Sequence, residues 1–321
     1  MGMLVDGHWQ AEDAPADTGG RFERPDSAFR NWLTADGSSG FAATPGRYHL
    51  YIAYVCPWAH RTLIWRALKG LHELVGVSAT AMAMGSQGWH FDRAQGSHGD
   101  PLLGAAHLHQ VYTAADPHYT GRVTVPVLWD RQRETIVSNE SADIIRMFNT
   151  AFDSCGANDL DLYPEPLRAE IDALNARIYA TVNNGVYRCG FATRQQAYDE
   201  AFDALFETLD WLEQRLATRR YLTGDRLTEA DWRLFPTLVR FDVAYHGNFK
   251  CNARTLREYP NLWHYTRELY QHPGIADTVD FAHIKGGYYG IGRLNPSGIV
   301  PRGPHLDFRA PHDRDRLPAA P

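Results

Sequence analysis

Long apolar runs are missing from this 321-residue chain. No run approaches the ~18 consecutive residues that a membrane-spanning helix requires. The first residues, Met-Gly-Met-Leu-Val-Asp, also lack the apolar core of a secretory signal. The sequence therefore predicts a cytoplasmic protein, and its length favours two domains that each bury a core of their own.

Strong charge of either sign is missing as well. The 32 lysines and arginines and the 38 aspartates and glutamates give a formal net charge of −6, without a basic run or an acidic tail. Nucleic acids and anionic membrane surfaces are bound by clustered positive charge. We therefore expect neither nucleic acid nor membrane among the partners of the protein.

Cysteine is scarce, which excludes two further classes of protein. The four cysteines stand far apart in unrelated contexts: Cys56, Cys155, Cys189 and Cys251. This spacing fits neither a disulfide framework nor a zinc site, so reduced thiols are expected. Several histidines fall in a Gly- and Ala-rich stretch, namely His98, His107, His109 and His118. They lack paired carboxylates and helical His-x-x-x-His spacing, so no metal is expected.

The most informative segment that is present reads Cys-Pro-Trp-Ala-His-Arg and starts at Cys56. It lies between a strand pattern and a helix pattern, which places the thiol at a helix N-terminus, where unpaired N–H groups and the helix dipole favour the thiolate. Pro57 fits the first helical position. The fourth residue is Ala59 and not a second cysteine, so a mixed disulfide at Cys56 must wait for an external thiol. Glutathione is the abundant thiol of a reducing cell.

The pattern from residue 47 to 152 predicts an α/β domain with the thioredoxin-like order of elements, preceded by an extension over residues 1–46 that wraps on it. The predicted elements are a strand over Tyr48 to Val55, a helix carrying Leu63 to Leu71, a strand over Leu74 to Ala79, a long loop from about Met84 to Gly121, strands over Val125 to Trp129 and Thr135 to Val137, and a helix opened by Ser138 to Ser141. The first two strands should be parallel.

Strand signals vanish from Pro164 onward, and residues 153–289 are predicted to form an all-helical domain. Apolar residues from Ala201 to Leu216 recur at helical spacing, as do those from Leu262 to Tyr270. In Leu-Thr-Glu-Ala-Asp-Trp, Thr228 is the expected N-cap and Asp231 returns the bond from the third helical position. Residues 290–321 are rich in Pro and Gly and predict an irregular tail.

A thioredoxin-like half followed by a helical half resembles the glutathione transferases. The chain further resembles the glutathionyl-hydroquinone reductases, the Xi class of that superfamily, over nearly its whole length. The words that carry the resemblance are Cys-Pro-Trp-Ala-His-Arg-Thr, Val-Pro-Val-Leu-Trp-Asp, Ser-Asn-Glu-Ser, Val-Asn-Asn-Gly-Val-Tyr, Leu-Thr-Glu-Ala-Asp-Trp-Arg-Leu, His-Ile-Lys with Tyr-Tyr, and Asn-Pro-Ser-Gly-Ile-Val-Pro, in this order.

The resemblance implies reduction of a glutathionyl-hydroquinone with glutathione as co-substrate. The Cys56 thiolate attacks the glutathionyl sulfur, the hydroquinone leaves and is protonated, and a second glutathione releases glutathione disulfide. The implied cradle for glutathione is a cis-Pro126 with the backbone of Val125 free to pair with the peptide. Ser141 suits the γ-glutamyl carboxylate and Glu140 suits the amino group.

The remaining cradle residues stay open between function and structure. Arg122 suits the glycyl carboxylate and Trp89 flanks the peptide, with Val123 and Thr124 as neighbours in the same strand. The structural alternatives are a solvated Arg or Glu, an N-capping Ser and a core Trp. The resemblance also implies a homodimer, with a contact on the helix that begins near Gln195 to Asp203.

The resemblance implies that tyrosines of the helical half face the thiol. Tyr187 is the expected proton donor, since a phenol with a pKa near ~10 stays protonated at neutral pH. Tyr288 and Tyr245 are expected to stabilise the thiolate or bind the quinol, and Tyr289 competes with Tyr288. Gly286-Gly287 and Gly290, which flank the tyrosine pair, predict a loose segment.

Two other functions share parts of this pattern. An omega-like thiol transferase or dehydroascorbate reductase uses the same cysteine and the same glutathione cradle, but it exchanges disulfides and needs no proton donor. A non-catalytic binding protein on the same fold usually lacks the nucleophile, so the intact Cys-Pro-Trp-Ala segment argues against it.

Overall fold

The computed structural model describes residues 2–11 and 19–319, and these form two compact units. The first unit comprises residues 2–11, 25–160 and 278–290, and the second comprises residues 19–24, 161–277 and 291–319. The segment 278–290 thus belongs to the first unit, whereas the sequence placed it at the end of the helical domain.

Strands occur in the first unit and α-helices in both. The strands of the described residues are β1 (Met3–Val5), β2 (His8–Gln10), β3 (Tyr48–Ile52), β4 (Val75–Ala79), β5 (Gly121–Arg122), β6 (Val127–Asp130) and β7 (Thr135–Ser138). The α-helices are α1 (Pro57–Leu68), α2 (Leu108–Ala115), α3 (Ser141–Thr150), α4 (Arg168–Ile178), α5 (Gly185–Phe191), α6 (Gln195–Thr218), α7 (Glu229–Arg240), α8 (His246–Asn248), α9 (Pro260–Gln271) and α10 (Phe281–Tyr289).

Shorter helical segments complete the described elements. The π-helical segments are Tyr179–Asn183 and Phe241–Tyr245. The 3₁₀ turns are Arg93–Gln95, Asp153–Cys155, Glu165–Leu167, Leu256–Glu258, Ala276–Thr278 and Arg314–Arg316.

The core of the first unit is a four-stranded sheet in the order β4-β3-β6-β7. β3 and β4 are parallel, as predicted, and the other pairs are antiparallel. Every residue of β3 and of β6 is buried. Helices α1 and α3 pack together and α2 contacts β7, so the strand, helix, strand, hairpin and helix of the prediction are confirmed. The N-terminal hairpin β1-β2 and the strand β5 form a second, three-stranded sheet, in which β1 pairs with β5.

Three element boundaries in the first unit differ from those that the sequence predicted. The predicted loop from 84 to 121 contains the helix α2, whose buried residues Leu108, Val111 and Tyr112 follow helical spacing. The first core strand ends at Ile52 and not at Val55, and the chain then turns into α1. The strand predicted from Val125 begins at Val127, because Pro126 lacks the N–H that a ladder needs.

The second unit is built from helices. The predicted cap of α7 is confirmed, since the Asp231 carboxylate accepts from the Thr228 N–H at 2.8 Å. The same carboxylate accepts from the Leu222 N–H at 2.8 Å and from the Tyr265 hydroxyl at 2.7 Å. The C-terminal tail is mostly irregular but anchored, because the buried Arg314 guanidinium donates to the Leu216 carbonyl oxygen.

A histidine inside the sheet of the first unit makes stability depend on pH. His49 is 5% exposed, and its Nε2 lies 2.9 Å from the Ser78 hydroxyl oxygen. Burial lowers the pKa of His49 from 6.5 to about 4. The unfolded chain therefore binds more protons between these two values, so stability is fully present above pH ~6.5 and falls as the pH drops towards ~4.

We expect acid to weaken the wild type more than a His49→Gln variant. The histidine contributes a loss of about 3 kcal/mol between pH 7 and pH 4, from its displaced pKa. Urea unfolding of both proteins at the two pH values measures the difference. An equal loss in wild type and variant would show that the pKa of His49 is the same in the folded and unfolded states, which would contradict this account.

Candidate active site

Cys56 occupies the N-cap position of α1, immediately before Pro57. Its backbone N–H donates to the Ala53 carbonyl oxygen at 2.9 Å, and its carbonyl oxygen accepts from the His60 N–H at 3.0 Å. The N-cap position places Cys56 at the end of the helix where the N–H groups of the first turn and the positive end of the dipole lie. The thiol is partly exposed, so this position favours a reactive thiolate.

The sulfur of Cys56 lies beside the segment that the sequence predicted as the cradle. Its thiol donates to the Val125 carbonyl oxygen at 3.6 Å. The peptide bond between Val125 and Pro126 is cis, as predicted. The structure therefore brings together Cys56 and the loop before β6.

The first turn of α1 is fixed by side chains that sequence reasoning missed. The guanidinium carbon of Arg61 lies 4.7 Å from the ring centroid of Trp58, and Arg61 is 2% exposed. His60 Nε2 lies 2.7 Å from the Thr278 hydroxyl oxygen. The first contact lies within α1 itself, and the second ties α1 to Thr278.

Tyr112 fixes the backbone that leads to Val125. Its hydroxyl donates to the Thr124 carbonyl oxygen at 2.8 Å and accepts from the Thr124 N–H at 3.2 Å. It also accepts from the Asn139 side-chain amide at 3.1 Å. Tyr112 belongs to α2, so missing that helix meant missing this residue.

Glu140 and Ser141 lie together at the start of α3. The capping residue is Glu140, whose carboxylate accepts from the Ala142 N–H at 2.9 Å, and Ser141 is the first helical residue. The same carboxylate accepts from the Ser27 hydroxyl at 3.0 Å and from the Ser141 hydroxyl at 3.4 Å. An acidic group and a set of helix N–H groups thus stand side by side, which suits a zwitterionic amino acid.

The N-terminal extension completes this corner of the first unit. The Asn139 N–H donates to the Phe29 carbonyl oxygen and the Phe29 N–H donates to the Asn139 side-chain oxygen, both at 3.1 Å. Arg30 pairs with Asp143 on α3. The extension was predicted to wrap on the domain. No local sequence signal indicated that its Ser27 hydroxyl would donate to Glu140.

Of the other two cradle candidates, Trp89 lies in the loop before α2 and Arg122 lies in β5. Trp89 is 7% exposed, and its carbonyl oxygen accepts from the Leu108 N–H at the start of α2. Arg122 is partly exposed in β5, where it pairs with Met3 of β1. Val123, which is 9% exposed, and Thr124 follow it. Their predicted place in one strand is wrong, because β5 ends at Arg122 and β6 begins at Val127.

Tyr288 and Tyr289 end α10, and their exposure differs. Tyr288 is 3% exposed, whereas Tyr289 is half-buried, with a pKa that burial raises. Tyr288 belongs to the same unit as Cys56. The expectation of a loose segment is wrong, because Gly286 and Gly287 lie inside this helix.

The two glycines let α10 approach the chain next to Cys56. A Cβ on Gly287 would lie 2.6 Å from Val55 Cγ2 and 2.7 Å from the Met82 carbonyl oxygen. A Cβ on Gly286 would overlap the Met82 sulfur. Val55 immediately precedes the candidate nucleophile, so the glycines set the distance between the helix of Tyr288 and the cysteine loop.

We expect Gly287→Ala to destabilise the protein by about 1–3 kcal/mol, the usual cost of overpacking. Alanine gains about 1 kcal/mol over glycine in a helix, but a backbone carbonyl at this distance cannot move aside cheaply. Gly292→Ala is the matched control, since no atom lies within 4 Å of its added Cβ. Denaturant unfolding measures both, and a stabilised Gly287→Ala would contradict the close approach.

The second unit holds an aromatic cluster around Tyr187. Its ring centroid lies 6.1 Å from that of Tyr245 and 5.4 Å from that of Phe249. Phe191 and Phe22 lie at 6.0 and 6.1 Å. The structure therefore brings together the two tyrosines that the sequence singled out in this half.

Both tyrosines adjoin π-helical segments. One segment, Tyr179–Asn183, ends just before α5, which carries Tyr187. The other, Phe241–Tyr245, follows α7 and contains Tyr245 itself. Single π-helical turns are rare in proteins, and those that occur are often found at functional sites. The Asn183 amide donates to the Thr237 hydroxyl at 2.8 Å, which ties one segment to α7.

The remaining cysteines lack the setting of a nucleophile. Cys189 and Cys251 are buried, and burial raises the pKa of the Cys251 thiol well above its ordinary value. Cys155 is partly exposed and donates to the Ala43 carbonyl oxygen at 3.5 Å. Within residues 2–11 and 19–319, no three His, Cys, Asp or Glu side chains are grouped to hold a metal ion. No helix of that described part is long and apolar enough to cross a membrane.

Comparisons with known proteins agree with this arrangement. The glutathione S-transferase N-terminal domain model matches residues 55–151, and the C-terminal domain model matches residues 195–268. These matches define a protein with the two-domain architecture of a glutathione transferase, thioredoxin-like and then all-helical.

Individual relatives narrow the class. The chain is 56% identical to the glutathionyl-hydroquinone reductase PcpF of Sphingobium chlorophenolicum, covering 95% of this chain and 96% of that protein. It is 55% identical to the glutathionyl-hydroquinone reductase YqjG of Escherichia coli K12, covering 98% and 99%.

Solved structures agree with these relatives. The glutathione-bound structure of YqjG matches with a TM-score of 0.91 at 52% identity, over 98% of this chain and 99% of that one. A Xi-class glutathione transferase from Natrialba magadii matches with a TM-score of 0.94 at 49% identity, over 100% and 98%. The chain belongs to the Xi class of the glutathione transferase family.

Proposed function

We propose that this protein is a glutathionyl-hydroquinone reductase with Cys56 as its nucleophile. The proposal rests on the Cys56 thiol at the N-terminus of α1, 3.6 Å from the Val125 carbonyl oxygen. This thiol stands in a chain more than half identical over nearly its length to two proteins with that name.

In the proposed reaction the Cys56 thiolate attacks the sulfur of the bound glutathionyl group. A sulfur–sulfur bond forms, the bond from sulfur to the aromatic carbon breaks, and its electron pair passes to that carbon, which takes a proton. A second glutathione then attacks the mixed disulfide and leaves as glutathione disulfide. The quinol loses its glutathionyl group and is reduced, while two glutathione sulfurs are oxidised.

Glutathione is held by the cradle of the first unit in this proposal. The backbone of Val125, next to Thr124 and Val123, pairs with the cysteinyl unit. The Glu140 carboxylate takes the amino group, and the Ser141 hydroxyl and the N–H groups of α3 take the γ-glutamyl carboxylate. Arg122 binds the glycyl carboxylate, and Trp89 flanks the peptide. Ser27 orients Glu140, because its hydroxyl already donates to that carboxylate at 3.0 Å.

Tyrosines supply the proton and the hydrogen bonds to the quinol. Tyr187 is the proposed proton donor to the aromatic carbon, and Tyr245 and Tyr288 are the proposed hydroxyls for the thiolate or the quinol oxygen. Tyr288 is preferred to Tyr289 because it is the buried member of the pair and shares the unit of Cys56. A phenol donates at neutral pH, which disulfide exchange does not need.

The proposal is tested by incubating the protein with a glutathionyl-hydroquinone and glutathione. We expect one hydroquinone and one glutathione disulfide for each conjugate consumed. Absence of hydroquinone release, with active exchange of a small disulfide, would replace this function by that of a thiol transferase.

The assembly and the compartment are part of the same proposal. A homodimer that uses the start of α6, which begins at Gln195, is proposed, and a mass of one chain in sedimentation equilibrium would remove it. The cytoplasm is the proposed compartment, because each turnover consumes reduced glutathione.

A further inference from the structure

The segment 19–24 belongs to the second unit and lies against α5 and α6. The Thr193 N–H donates to the Gly20 carbonyl oxygen at 3.0 Å. Arg21 forms a two-pronged ion pair with Glu200 of α6, with the shorter contact at 2.8 Å. The segment 19–24 is therefore anchored before it reaches Tyr187.

Arg24, at the end of this segment, places its guanidinium on the ring of Tyr187. Its Cζ lies 5.1 Å from the Tyr187 ring centroid and 5.5 Å from that of Phe22. Its Nε donates to the side-chain oxygen of Asn184 at 3.3 Å. Asn184 precedes Tyr187 by three residues, so one helical turn presents both the amide and the ring to Arg24.

A guanidinium in this position acts differently on the two protonation states of a phenol. It is attracted to the face of a neutral ring, and the attraction increases when the ring carries the negative charge of a phenolate. The neighbours Tyr245, Phe249 and Phe191 supply aromatic surface to the same ring.

We propose that Arg24 is a positioning residue for Tyr187: it orients the phenol and stabilises the phenolate that forms when the proton passes to the aromatic carbon. This inference rests on the proposed function. The phenolate recovers a proton from water or from the thiol of the second glutathione before the next turnover. A group placed in advance where charge develops lowers the barrier without reorganising during the reaction.

The test compares two reactions of the same enzyme. Arg24→Gln is expected to lower kcat for hydroquinone release about tenfold, within the range of a partly desolvated cation–π contact, with KM nearly unchanged. Exchange of a small disulfide with glutathione needs no proton on carbon and should stay within about twofold of wild type. Arg24→Lys keeps the charge and is expected to restore most of the lost kcat.

Two further variants separate a specific role from a general one. Arg254→Gln is the matched control, since Arg254 also stacks on a tyrosine of this unit, with its Cζ 4.6 Å from the Tyr259 ring centroid; it should change neither reaction. In a Tyr187→Phe background, Arg24→Gln should cost nothing more, because its effect passes through the lost hydroxyl.

The inference is overturned if Arg24→Gln leaves hydroquinone release intact, or if it lowers both reactions equally. An additive loss in the double variant would also overturn it. If Arg24→Gln does not fold, Arg24→Met keeps the apolar contact with Phe22 and is judged by the same outcomes. Wild type that fails to release hydroquinone would instead remove the proposed function.

Discussion

Cys56→Ser is expected to abolish hydroquinone release, with a loss of about 10³-fold or more, as is typical when a covalent nucleophile is removed. A serine hydroxyl at the N-terminus of α1 stays protonated at neutral pH, whereas this position favours ionisation of a thiol. Glutathione binding should persist, because the proposed cradle lies on Val125, Glu140 and Ser141 and not on the sulfur. Steady-state kinetics and calorimetric titration with glutathione measure the two properties.

Cys155→Ser is the control for this experiment. Cys155 belongs to the same unit and is also partly exposed, but it ends a 3₁₀ turn and its thiol donates to the Ala43 carbonyl oxygen. We expect wild-type rates from it. Retained release by Cys56→Ser, or loss by Cys155→Ser, would place the nucleophile elsewhere.

Tyr187→Phe should separate reduction from disulfide exchange. Removing a general acid lowers a rate by about 10²- to 10⁴-fold, so hydroquinone release is expected to fall within this range. Exchange of a small disulfide should remain near wild type, because sulfur leaves as a stable thiolate without protonation of carbon. The ring remains, so its packing on Phe249 and Tyr245 is kept.

Tyr163→Phe provides the matched loss of a hydroxyl away from the cluster. The Tyr163 hydroxyl donates to Asp172 at 2.6 Å on the exposed side of the same unit. It should affect neither reaction. Equal losses of both reactions in Tyr187→Phe would favour the function of a thiol transferase. If Tyr288→Phe alone stops hydroquinone release, the proton donor belongs to the first unit.

The parts of the molecule that sequence predicted well are those with local causes. The cap of α7 depends on residues three apart, and the start of the helix after Cys56 is marked by Pro57. In each case the required hydrogen-bonding or conformational property belongs to the residue itself. The cis form of Pro126 was expected from the family resemblance.

The parts that sequence missed depend on distant partners. Ser27 reaches Glu140 across more than a hundred residues, and no periodicity reports such a contact. The helix α2 and its Tyr112 were hidden in a stretch rich in glycine, alanine and histidine, although the apolar spacing was present. Gly286 and Gly287 suggested a loose segment because glycine permits many backbone conformations. The close neighbour that requires them, Met82, is evident only from the three-dimensional structure.

The central claim is that Cys56 takes the glutathionyl group directly from the aromatic carbon. It is tested most directly by mixing the protein with one equivalent of glutathionyl-hydroquinone without free glutathione, and then analysing its peptides by mass spectrometry. The account predicts one hydroquinone released per chain and one glutathionyl group on the peptide that contains Cys56. Hydroquinone release without this adduct, or an adduct on another cysteine, would contradict it.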